Sequence, residues 1–153
     1  APKGSHAQYQ IASFRHYCAG RIKESLVLNK KALKAGRARF EEHMVQGGQP
    51  AGDQWNILEY SYKSRLGDLE EYSKRKEHTE EVAKLEVWFN SLSKKEGAYW
   101  RIREMWCRCI YVLYLCRKPQ IDDELWGKFK EAHSHVQDKD IKNAMTKILA
   151  NRK

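Results

Sequence analysis

Ser13-Phe14-Arg15, followed further on by Arg37-Ala38-Arg39-Phe40-Glu41-Glu42-His43, decides how this 153-residue chain is read. Around the first stretch, Ile11, Phe14, Cys18, Ile22 and Leu26 recur at steps of three and four, the period of a helix with one apolar face. That spacing predicts a first helix over about residues 8 to 28. Around the second stretch, Leu33, Gly36, Phe40 and Met44 share a face of a second helix over about 30 to 46. Gly36 leaves room there for a close neighbour, and the remaining face is strongly basic. Phe14 and Phe40, lying on these stripes, are expected in the core.

Working outward, Gly47-Gly48-Gln49-Pro50-Ala51-Gly52 breaks the pattern, and Asp53 is well placed to cap the next helix. From Trp55, the positions Leu58, Tyr62, Leu66 and Leu69 predict a long third helix that runs through the alternating charges of Asp68 to Lys84 toward Val87-Trp88-Phe89. A break is expected between Asn90 and Gly97. The fourth helix, about 98 to 117, carries Trp100, Met105, Trp106, Ile110, Leu113 and Tyr114 on more than one face, the pattern of a helix enclosed by protein. Lys118-Pro119-Gln120 stops it, because proline disfavours helix in the residue before it. Two short amphipathic helices finish the chain, one with Leu125, Phe129 and Val136, the other with Ile141, Met145 and Ile148. Neither an internal repeat nor strand-like alternation competes, so the fold class is all-α.

Composition limits the functions. A mean hydropathy of -0.82 with 32% charged residues excludes a protein built mainly of membrane spans. The longest apolar-rich run, Cys109 to Cys116, is far shorter than the roughly 20 residues a span requires. The chain begins at Ala1 with neither an initiator Met nor an apolar signal segment, which is expected of a processed or trimmed end. The formal charge of +9 calls for a negative partner: an acidic protein, RNA or an anionic membrane face. Residues 1 to 46 hold nine Lys and Arg against Glu24, Glu41 and Glu42, a net of +6, which makes the N-terminal third the expected docking surface.

Catalytic and metal signatures are missing from the sequence. Cys18, Cys107, Cys109 and Cys116 have no spacing suited to a zinc site, and read as free thiols in a reducing compartment. The six histidines form no HExxH or Cys-His cluster, and no P-loop, GxGxxG or GxSxG occurs. Adjacent acids such as Glu70-Glu71 and Asp122-Asp123 suit solubility and helix-dipole compensation. A non-enzymatic binding protein is the expectation. Trp100, Trp106 and Trp126 are many for a chain of this size, which suggests burial against partner subunits.

The two opening stretches resemble the LYR-motif family of mitochondrial proteins, in which a Leu-Tyr-Arg-like tripeptide opens the first helix and an Arg-x-x-Phe step lies in the second. Ser13-Phe14-Arg15 takes the tripeptide's place, with Ser13 for the usual Leu, and Arg37-Ala38-Arg39-Phe40 takes that of the second motif. The Ala38-to-His43 run is similar to that of LYR accessory subunits of respiratory complex I; Met44 stands where several members carry Lys. The likeness spans about residues 8 to 80. It implies an antiparallel LYR-type three-helix bundle over 1–90 and an additional C-terminal helical extension over 91–153. It further implies a non-catalytic accessory subunit of mitochondrial NADH dehydrogenase (complex I), on the matrix side of the inner membrane, that binds acyl carrier protein. Arg15, Arg37, Arg39, Phe14 and Phe40 would meet the carrier, while Cys18, Leu33 and Leu58 would line its acyl chain. The chain itself would hold no cofactor, only the acyl-phosphopantetheine brought by the carrier. The alternatives are a mitochondrial ribosome subunit or assembly factor of LYR type, or a basic helical RNA-binding module.

Overall fold

A computed structural model describes residues 3–45, 76–94 and 100–152. They form six helices and no strand: α1 (His6–Cys18), α2 (Ile22–Val45), α3 (Lys76–Ser93), α4 (Trp100–Arg117), α5 (Asp123–His135) and α6 (Lys139–Ala150). The chain divides into two compact units, Ala1–Asp68 and Leu69–Lys153. Residue 90, where a boundary is expected, lies within α3, whose apolar face packs on α4. The expected Gly47–Gly52 break and the start of the third helix at Trp55 lie outside the described residues.

The described residues of the first unit form an antiparallel hairpin of α1 and α2, not the single helix expected over 8 to 28. Gly20 breaks that helix. It adopts φ +77°, a conformation that only glycine enters without strain. Around it, the Gly20 N–H donates to the Tyr17 carbonyl at 3.0 Å and the Arg21 N–H to the His16 carbonyl at 2.9 Å. This pair of bonds closes the carbonyl end of α1 and reverses the chain.

The seam of the hairpin holds a buried polar clasp beside apolar side chains. Ser13 and Ser25 are both buried, each hydroxyl donates to the other residue's carbonyl at 2.9 Å, and the two oxygens lie 3.1 Å apart. Asn29, Ala32, Leu26 and Leu33 complete the buried face of α2. At the far end Gly36 lies against His6, and a Cβ built there would stand 3.2 Å from His6 Cδ2. Burial lowers the His6 pKa. Gly36 thus does admit a close neighbour, and that neighbour is α1.

A leucine at position 13, the residue usual in the resembling family, has no room in this seam. Ser13→Leu is expected to cost about 2–3 kcal/mol through overpacking and the lost hydroxyl bond, whereas Ser13→Ala costs about 1 kcal/mol. Urea unfolding followed by circular dichroism measures both. Equal stability of Ser13→Leu and the unaltered chain would show that the helices are not in close contact.

The second unit is built around α4, eight of whose side chains are buried: Ile102, Met105, Trp106, Cys107, Cys109, Ile110, Val112 and Leu113. Burial on every side is what its all-round apolar sequence requires. Val82, Leu85, Phe89 and Leu92 of α3 repeat at helical spacing and pack against it, and Leu125, Phe129, Ala132, Ile141 and Met145 of α5 and α6 belong to the same core. Trp106 is therefore buried by its own chain, and Trp126 is half-buried beside Tyr114 and Phe129. The side chain of Trp100 lies outside the described residues.

Capping fixes the short helices. Asp122 accepts the Leu125 N–H at 2.8 Å and Asp138 accepts the Ile141 N–H at 3.0 Å, so each aspartate satisfies an amide that the first turn leaves open. Asp123 and Glu124 follow in the first turn of α5, where the helix dipole favours them. Glu104 of α4 accepts the N–H groups of Gln137 and Asp138, each at 3.0 Å, and so ties the α5–α6 connection to the central helix.

The thiols are free. Cys107 and Cys109 are buried, Cys116 is half-buried and Cys18 is exposed. Burial pushes the Cys107 thiol up to about 12 and raises Cys109 and Cys116 as well.

Candidate docking surface

The clasp between Ser13 and Ser25 sets the rotation of α1 about its axis. With Ser13 turned inward, the positions about half a turn away are turned outward. Phe14 is 67% exposed and Ile11 50% exposed, and Arg15 and Cys18 are exposed beside them. The expectation that Phe14 lies in the core is thereby corrected: the apolar stripe Ile11–Phe14–Cys18 faces away from α2, because Ser13 takes the side of α1 that packs. The helix carries no acidic residue to offset Arg15.

On α2 the same geometry turns lysines outward. Lys23, Lys30, Lys31 and Lys34 are exposed, and Val27 lies among them at 51% exposure. Arg37 is half-buried, while the side chains of Arg39 and Phe40 lie outside the described residues. Near the turn, His16 Nδ1 accepts from Arg21 Nε at 2.8 Å, so the imidazole proton is assigned to Nε2. His16, Lys23, Glu24, Val27 and Leu28 line a shallow recess of about 420 Å³.

Among the residues expected at the site, Phe14 and Arg15 are brought together on the outer surface of α1. Cys18 lies on that same outer stripe. Leu33 is buried in the α2 seam, so it does not share a surface with Cys18, and Leu58 lies outside the described residues. Among the described residues, Cys18 and Leu33 therefore lie on different sides of the hairpin. What the sequence did not reveal is Ser25, the partner that aims the motif. Its only signal is a serine on each side of Gly20, at positions 13 and 25, compatible with a hairpin turn.

Elsewhere among the described residues, no group of three or more His, Cys, Asp or Glu could hold a metal ion, and no helix is long and apolar enough to cross a membrane. His133 and His135 lie near the end of α5. His133 Nε2 is 2.8 Å from the Thr146 hydroxyl, and its pKa is lowered by burial and by the charge of Lys142.

The chain matches no family model, no curated protein and no solved structure.

Proposed function

We propose that this chain is a non-catalytic accessory subunit that captures an acidic carrier protein on the outer surface of α1. The observation that carries this is the outward presentation of Phe14 and Arg15 as an adjacent pair, held by a buried clasp at Ser13. An exposed aromatic beside an exposed arginine is the composition of a protein-binding hot spot, and the surrounding positive charge would steer an acidic partner toward it. In keeping with the LYR resemblance, the partner is mitochondrial acyl carrier protein and the assembly is complex I, on the matrix side of the inner membrane. The three-helix LYR bundle belongs to the same proposal. The acyl chain would run along the outer stripe of Ile11, Phe14 and Cys18, since the α1–α2 seam is closed by the Ser13–Ser25 clasp and the buried face of α2.

Co-expression with acyl carrier protein, followed by native mass spectrometry, tests this. A complex bearing the phosphopantetheine-acyl mass is expected. Phe14→Glu combined with Arg15→Glu should weaken it about a hundredfold while leaving the helical content unchanged, because both side chains are exposed. A carrier that stays bound to the double variant with undiminished affinity would remove α1 from the interface.

A further inference from the structure

The outer face of α2 is separate from that of α1. Positions 23, 27, 30 and 34 succeed one another at steps of four, three and four, and therefore form one straight row along the helix, with Lys31 beside it. The row faces away from α1, whereas the Ile11–Phe14–Cys18 stripe faces away from α2, so the two lie on opposite sides of the hairpin. From the helix rise, Lys23 and Lys30 are about 10 Å apart along the axis and Lys30 and Lys34 about 6 Å.

The row is electrostatically unfavourable as it stands. Lys30 and Lys34 are four residues apart and Lys31 and Lys34 three apart, spacings at which like charges repel by a few tenths of a kcal/mol per pair. Glu24 is the one acidic residue between Ile22 and Ala38. None of the four lysines is ion-paired among the described residues. A helix that keeps such a row uncompensated is best matched by a ligand that supplies a line of negative charge.

We propose that Lys23, Lys30 and Lys34, with Lys31 beside them, bind the phosphate backbone of a nucleic acid. Three considerations favour phosphates over the other anionic surfaces. Lysine is a point-charge donor that suits phosphate oxygens, yet it is depleted at the centre of protein interfaces, where aromatics and arginine predominate. The row offers only Val27 as an apolar anchor, too little for a protein hot spot. A membrane surface would need apolar side chains on the same side as the lysines, and the exposed stripe of α1 lies on the other. Lysines at these intervals need no base contacts, so the binding is independent of sequence.

Fluorescence anisotropy of the full chain with a labelled 20-nucleotide single-stranded RNA tests the proposal. Four phosphate contacts predict a log–log salt slope of about −2.8, equivalent to about a 50-fold loss of affinity between 50 and 200 mM salt. The triple variant Lys23→Gln, Lys30→Gln, Lys34→Gln should flatten the slope by about 2.1. Lys130→Gln with Lys139→Gln, exposed lysines of the second unit, should leave it unchanged. Phe14→Glu with Arg15→Glu, which tests the carrier reading, should leave the slope within one unit of its starting value, so the two proposals fail separately. Absence of RNA binding, or a slope unaltered in the triple variant, overturns this one. So does capture of phosphatidylserine vesicles or acyl carrier protein through these lysines with no binding of RNA.

Discussion

Phe129→Ala is expected to remove about 3–5 kcal/mol from the unfolding free energy of the second unit. Phe129 is fully buried, with its ring 5.3 Å from that of Tyr114 and 5.5 Å from that of Trp126, and those two rings are 5.7 Å apart. Truncation leaves a cavity facing two aromatic faces on different helices, which cannot close without moving α4 and α5 together. Each lost aromatic pair adds about 1 kcal/mol to the apolar area lost. In a unit of about this size the melting temperature should fall by more than about 10 °C. Urea unfolding, monitored by near-ultraviolet circular dichroism, reads the change directly. A loss below about 1.5 kcal/mol would mean that the three rings do not form the joint between these helices.

Second in magnitude is the ion pair that links α3 to α5. Lys128 Nζ donates to Glu86 Oε1 at 2.5 Å and approaches Glu124 at 3.6 Å. The partners differ in burial: the Glu86 side chain is 4% exposed and that of Lys128 is 34% exposed. Lys128→Met strands a carboxylate in the core and is expected to cost about 3 kcal/mol, since a buried charge without its partner is strongly unfavourable. Glu86→Met should cost less, because the lysine left behind can turn its ammonium into solvent. The double variant should recover much of the loss of Lys128→Met. A double-mutant cycle in urea measures the coupling, and equal costs for the two single variants would contradict the difference in burial. The Lys128 pKa is raised, chiefly by its hydrogen bond to Glu86. The corresponding stability is fully present below the ordinary lysine value and is lost as pH rises through the raised one, so the cycle at neutral pH sees all of it.

The second unit was largely legible in the sequence, because there the apolar side chains are the ones that pack. Leu125, Phe129, Val136, Ile141 and Met145, read from helical spacing, are all buried, and the helix with apolar residues all round lies at the centre. The hairpin was less legible. Ile11, Phe14 and Cys18 have a good helical period, yet the packing side of α1 is marked by Ser13, which hydrophobic periodicity does not weigh. Gly20 is a recognisable stop signal, but Ile22 and Leu26 continue the apolar spacing across it and hide the turn. The excess of positive charge was visible as a count. Its separation from the Phe14–Arg15 side became visible only when the turn folded α2 back onto α1.

The contrast among the cysteines gives the molecule a built-in clock. A thiol reagent meets Cys18 at once, whereas Cys107 and Cys109 become nucleophilic only when α4 is uncovered and their thiols regain an ordinary acidity. The lag before those two sulfurs react is the waiting time for the central helix to open, read from the native chain with no substitution made.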